Sequence, residues 1–222
     1  MDVKKICFIM CVNNKLYMQE AIYYISRLNV PDGYTIDVLT VQDAAGMTSG
    51  YNEAMTASDA KYKVYLHQDV MITESDFIQH LLDLFQNQDI GMIGMVGTPK
   101  LPEDGVMWHS FGVGRLYSSN IEHISDVQIG KVPEEKTCQE VEAVDGLLIA
   151  TQYDIKWRDD IFQKWDFYDV SQSFEFRRQG YKVVVPKMER SWCIHDDGLP
   201  DFTYYNEERE KFLKEYRSDI MG

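Results

Sequence analysis

The sequence predicts an α/β protein. It reads as one domain over residues 1–222, a mostly parallel sheet with helices on both faces and a small antiparallel portion in its second half. Short continuous apolar runs alternate with helically periodic segments four times within about the first 97 residues. That order implies parallel strands joined by right-handed crossovers. No internal repeat, low-complexity tract or Pro/Gly/Ser linker divides the chain, and 222 residues at 45% hydrophobic suffice for one sizeable core.

The elements follow in order. KICFIMCV (Lys5 to Val12) is apolar throughout, as in a strand covered on both faces. Asn13 or Asn14 caps a helix from Leu16 to Leu28, with Met18, Ala21, Ile22, Ile25 and Leu28 at helical spacing. VPDGY turns the chain into a second strand, Tyr34 to Asp43. After the AAGMTSG loop, Thr48 or Ser49 starts a second helix. YKVYLHQD (Tyr62 to Asp69) is a third strand, Thr73 to Gln86 an amphipathic helix, and Ile90 to Gly97 a fourth buried strand. The second half is less regular. Met107 to Ser119 and Val141 to Gln152 read as strands separated by an acidic, loop-rich stretch. Asp169 to Gly180 reads as a helix stopped by Gly180, and Tyr181 to Pro186 as a strand. The last twenty residues form a charged amphipathic helix suited to packing or to a partner surface.

Composition excludes several functions. A formal net charge of -14 gives no electrostatic reason to approach nucleic acid or an acidic membrane face. Small phosphorylated ligands stay open, since a metal ion or helix N-termini can hold them. No apolar run approaches the roughly 18 residues of a membrane span, so no transmembrane segment is expected. The N-terminal apolar run is too short for a signal peptide and is followed by asparagines. Cys7, Cys11, Cys138 and Cys193 form no CxxC pair and read as reduced thiols, so the expected location is cytoplasmic.

Ligands of open α/β sheets bind beyond the carboxyl ends of the strands. Here those ends carry Asn13-Asn14, Gln42-Asp43 and His67-Gln68-Asp69. There is no GxGxxG, no GxxxxGK[ST] and no GxSxG, which argues against a dinucleotide fingerprint, a P-loop and a nucleophile elbow.

The segments ICFIMCVNN, TVQDAAG, SGYNEAMTASDAKYKVYLHQDVMI, VDGLLIATQYDI, YDVSQSFEFRRQGYKVVV and WCIHDDG resemble, in order and spacing, the family-2-like GT-A glycosyltransferases. That group includes the streptomycin-biosynthesis StrF-type domain. The resemblance runs from about Lys4 to Gly198. It implies the Rossmann-like GT-A fold, with residues 1–100 as a nucleotide-binding half, 101–198 as an acceptor half and 199–222 as a C-terminal helix. It also implies sugar transfer from a nucleotide-diphosphate donor, UDP-type favoured, to a hydroxyl acceptor that it does not identify.

The residue roles come with it. Cys11 and Asn13 fall at the nucleotide, Asp43 at a uracil-type ring N–H, and Tyr51 and Asn52 where relatives carry an Arg-Asn pair; Gln68 joins this donor set. Asp69 falls at the carboxylate of the DxD metal motif, and His195 at a distant further ligand for Mn2+ or Mg2+. His67 takes the place of the first acid of that motif. Asp169 matches the second acid of an acidic pair whose first position is Tyr168; it is the candidate base for an inverting transfer, and equally a helix cap. Asp145, Trp108 and His109 are weaker acceptor candidates, with turn or core roles as the alternatives. Asp159-Asp160 read as a polar loop supporting the helix of Asp169. Three functions compete: a metal-dependent glycosyltransferase, a catalytically weak or inactive nucleotide- or sugar-binding module of the same fold, and, last, a metal-dependent phosphohydrolase or nucleotidyltransferase on a related sheet.

Overall fold

The computed structural model describes residues 1–119, 123–196 and 198–221. Asp197, inside the WCIHDDG segment, lies outside the described residues.

Strand β1 (Asp2–Val12) shows why a continuous apolar run becomes a central strand. Ile6, Phe8, Met10 and Val12 pack into one core cluster, and Cys7, Ile9 and Cys11 into another on the opposite face. Asn14 then caps α1 (Lys15–Ile25), its side chain accepting the Leu16 N–H at 3.0 Å. Strands β2 (Thr35–Gln42) and β3 (Ala60–Leu66) flank β1 in parallel, with α2 (Met47–Ala57) between them in sequence. Then come β4 (Val70–Ile72), α3 (Phe77–Phe85), β5 (Ile90–Gly94) and β6 (Val96–Thr98).

In the second half, β7 (Val113–Ser119) and β8 (Ile124–Gly130) form an antiparallel pair, followed by β9 (Cys138–Val141), β10 (Ala143–Val144) and β11 (Leu148–Thr151). Helix α4 (Tyr168–Arg178) ends at Gly180, whose φ of 84° suits a residue without Cβ. Strands β12 (Lys182–Pro186) and β13 (Cys193–Asp196) and helix α5 (Tyr205–Met221) complete the chain.

The result is a mixed α/β single domain with two sheets. The larger runs β2-β1-β3-β11-β5-β12-β9 and is mostly parallel, with β11 and β9 antiparallel to their neighbours. The second runs β10-β6-β7-β13-β4, with β8 on β7. Its antiparallel content exceeds the expectation, because β4 and β6 from the first half join it. The expected fourth strand, Ile90 to Gly97, divides into β5 and β6, one in each sheet. Val141 to Gln152 is likewise no single strand. It breaks at Asp145-Gly146, so β10 pairs with β6 while β11 inserts between β3 and β5. Gly94 makes this crossing possible: a Cβ there would fall 2.4 Å from that of Val144. Met107–His109 is a 3-10 turn, not the start of a strand.

Helix α5 packs Phe212, Tyr216 and Ile220 on Val170 and Phe174 of α4, with Phe162 and Phe167 alongside. Arg158 and Arg178 tie Glu175 of α4 to Glu215 of α5, and Arg158 also pairs with Asp160. Asp160 thus acts through Arg158 on α4, while Asp159 pairs with Lys156.

Candidate active site

Parallel pairing sends the carboxyl ends of β1, β2 and β3 to one edge. Gln68 straps two of them together. Its Oε1 accepts the N–H groups of Asn13 (3.0 Å) and Asn14 (2.8 Å), and its Nε2 donates to Asn13 Oδ1 at 2.5 Å. Asp43, at the end of β2, holds a left-handed φ of 56°, an uncommon state for a residue with a side chain and one that clusters at ligand sites. A cavity of about 600 Å3 opens here, lined by Cys11, Asn13, Asp43, Gln68 and Asp69.

Two long-range pairings add to this edge. The antiparallel β3–β11 register sets the His67 N–H on Leu147 O at 3.0 Å, which brings Asp145-Gly146 beside His67. The antiparallel β13–β4 register sets His195 opposite Val70, and Asp196 N donates to Asp69 O at 2.9 Å. A second cavity of about 520 Å3 adjoins the first, lined by Asp145, Asp169, His195, Trp108, Phe202 and Tyr205 among others. His67, Trp165, Asp166 and Pro200 line both. Among the described residues, neither lining includes a lysine or an arginine.

Where the cavities meet, His67 Nδ1, His195 Nε2 and Asp69 Oδ1 form a triangle with sides of 3.4, 3.9 and 3.7 Å. All three atoms can serve one metal ion. Asp69 Oδ1 is buried and has no hydrogen-bond partner among the described residues. A buried carboxylate oxygen left unpaired beside two imidazole nitrogens is a donor set that a cation satisfies, so these residues fit a divalent metal. Burial pushes the Asp69 carboxyl up, and burial followed by His195 pushes the His67 imidazole down to about 4. The far nitrogen of His67, Nε2, lies 2.5 Å from Tyr168 Oη.

Asp169 sits in the first turn of α4. Its Oδ2 accepts the Gly146 N–H and its Oδ1 the Val170 N–H, each at 2.8 Å. Burial, then the charge of Asp145, push its carboxyl up to about 7 against those two bonds. The preceding Phe167 is left-handed at φ 56°. Asp145 Oδ1 accepts the Leu147 N–H at 2.9 Å.

Three candidates lie elsewhere. Tyr51 is fully buried among Tyr65, Trp157 and Tyr168, in the aromatic layer behind His67. Asn52 exchanges two 2.9 Å bonds with the backbone of Trp157. Both lie on the buried side of α2, and neither lines a cavity, although Met47 of the same helix lines the first. His109 holds Asp104 at 2.7 Å on the surface and lines neither cavity. Sequence reasoning missed His67 as a metal-site group, Tyr168 as its partner, and Trp165 and Asp166. Burial, then Glu208 and Asp201, push the Asp166 carboxyl up to about 6. Its sole sequence signal is an acid three residues before Asp169.

The fold is that of the GT-A glycosyltransferases. A mannosyltransferase from Pyrobaculum calidifontis, in complex with GDP-Man and Mn2+, superposes with a TM-score of 0.60 at 11% identity over 99% of this chain and 64% of its own. S. aureus TarS 1-349 in complex with UDP gives 0.55 at 10% identity over 99% of this chain and 70% of its own. Its complex with UDP-GlcNAc gives 0.54 at 9% identity over 90% and 59%. No curated protein matches by sequence. The chain belongs to the glycosyltransferase like family, whose model matches residues 7–216. The match is to the family as a whole and does not single out the StrF-type group. Among the described residues, no helix is long and apolar enough to cross a membrane.

Proposed function

We propose that the protein transfers a sugar from a nucleoside-diphosphate donor to a hydroxyl acceptor with inversion at the sugar carbon, and that it needs a divalent metal to do so. The first cavity takes the donor and the second the acceptor, so residues 1–100 act as the nucleotide half and 101–198 as the acceptor half. The observation that carries this reading is Asp169, a carboxyl tuned to about 7 in a cavity that meets a second one at His67.

Each residue then has a task. Asp43 accepts a ring N–H of the base, which favours a uracil-type nucleotide, and Asn13 and Cys11 border it. Gln68 holds the Asn13-Asn14 turn in shape. Asp69 and His195, with His67 beside them, would hold Mn2+ or Mg2+, which when bound supplies Lewis-acid neutralisation of the leaving diphosphate. Among the described residues, the cavities offer no lysine or arginine for that purpose. Asp169 takes the acceptor proton as the new C–O bond forms, and the nucleoside diphosphate leaves with the electron pair of the bond that breaks. Gly146 N–H fixes the carboxylate in orientation. Asp145, Asp166 and Asp169 stand beside the Trp108 and Trp165 rings, which disfavours an acceptor that is anionic near its reacting hydroxyl.

A melting-temperature panel of nucleotide sugars with and without Mn2+ tests this. The matching donor plus metal should raise Tm, by mass action about 2.7 kcal/mol of stability at a hundredfold excess over Kd. Asp69→Ala should abolish the gain; a gain that persists defeats the metal assignment. Failure of the wild type to transfer sugar to any neutral acceptor, with donor binding intact, would make it a binding module.

A further inference from the structure

We propose that Tyr168 is a positioning residue: its hydroxyl, bonded to Nε2, holds the His67 ring with Nδ1 facing the metal site, which makes His67 a full ligand and biases the site toward transition metals over Mg2+. This rests on the metal-dependent reading above and adds to it a named ligand atom, its support and a metal preference.

An uncharged imidazole has one N–H and one lone pair. His67 presents Nδ1 to the triangle with His195 Nε2 and Asp69 Oδ1, and Nε2 to Tyr168 Oη at 2.5 Å. The Tyr168 hydroxyl can donate or accept; when a cation takes the Nδ1 lone pair the proton sits on Nε2, and the phenol oxygen accepts it. Such a partner on the far nitrogen of a ligating histidine fixes the ring orientation and satisfies the Nε2–H of the loaded site.

The phenol is itself held firmly. Its ring packs 6.0 Å from Tyr51 and 6.1 Å from Trp157, centroid to centroid, in the buried aromatic layer. Its hydroxyl occupies the space that Gly146 leaves open, where a Cβ would come within 2.0 Å of Oη. Tyr168→Phe would leave the Nε2–H without its partner. The metal-loaded imidazole would then carry an unsatisfied N–H on a ring no longer held, and Nδ1 would be a weaker ligand. Two imidazoles and one carboxylate suit Mn2+ and its heavier neighbours. Mg2+ prefers oxygen ligands and its own waters.

The test is calorimetric titration of the full chain with Mn2+ and with Mg2+, without nucleotide, alongside the electron paramagnetic resonance of bound Mn2+. Wild type should bind Mn2+ about tenfold or more tighter than Mg2+. Tyr168→Phe should weaken Mn2+ about 10- to 100-fold while the metal-free Tm stays near wild type. In a His67→Asp background there is no imidazole to position. There Tyr168→Phe should cost no further affinity, and the preference for Mn2+ should narrow. Gly146→Ala, whose methyl displaces Oη, should reproduce the loss if the phenylalanine variant folds poorly. Wild-type Mn2+ affinity in both Tyr168→Phe and Gly146→Ala would overturn the positioning role and leave the metal reading standing. Equal losses from Tyr168→Phe in the wild-type and His67→Asp backgrounds would do the same. No Mn2+ binding by the wild type would overturn both.

Discussion

Asp169 shows how a single environment sets a chemical role. Its carboxyl keeps two N–H bonds that favour the anion, yet burial and the neighbouring Asp145 outweigh them and lift it to about 7. A base must be unprotonated, so kcat/KM should rise with pH, close to tenfold per unit below about 7, and level off above it. Asp169→Asn should remove that limb and lower kcat by about 10^2- to 10^4-fold with donor affinity kept, as read by a pH-rate profile and a donor titration. Linkage adds a stability effect of known sign. The folded pKa exceeds the ordinary value of about 3.9, so the folded state binds the extra proton. Stability should therefore fall as pH rises from about 4 through about 7, and Asp169→Asn should flatten that stretch of a Tm-versus-pH curve.

At the scale of elements, the site depends on joints more than on the strands themselves. Strand β11 enters between β3 and β5 only because the chain breaks at Asp145-Gly146 and Gly94 admits Val144. Gly94→Ala should cost about 1–3 kcal/mol through overpacking. It should also weaken donor and acceptor binding together, since the His67–Leu147 contact lies on the same joint. Denaturant unfolding beside a nucleotide titration separates the two effects. Helix α5 serves α4: Phe212, fully buried between them, should cost about 3–5 kcal/mol when cut to alanine. Helix positions were legible because their caps and periodicity are local, as Asn14 and Gly180 show. Strand β8 was not, because it lies at a sheet edge with largely exposed, alternating residues and has no apolar run to announce it.

Charge acts at the scale of the whole molecule. A chain of formal net charge -14, with two cavities lined by carboxylates and no lysine or arginine, repels a nucleoside diphosphate unless a cation intervenes. Chelating divalent metal should therefore cut nucleoside-diphosphate affinity by about 10^2-fold or more, while the affinity of the uncharged nucleoside stays unchanged. Calorimetry with UDP and uridine, each with and without a chelator, reads the difference; an equal loss for both would point to a structural metal.

Neighbouring residues were enough to specify the alternation of strands and helices, the strand ends that carry Asn13, Asp43 and Asp69, and the acid at Asp169. Each of these is local, since an apolar run, a cap or a turn is written in a short stretch of chain. What those residues meet was settled by tertiary packing. Tyr51 and Asn52 stood at a promising position and are held in packing contacts, Tyr51 against the ring of Trp157 and Asn52 on its backbone, 105 positions beyond Asn52. His67 read as a missing acid until β13 brought His195 within 3.4 Å across 128 positions, and α4 brought Tyr168 to its other nitrogen. Register between distant strands places such contacts. It is set by the burial of whole faces at once, which no short stretch of sequence specifies.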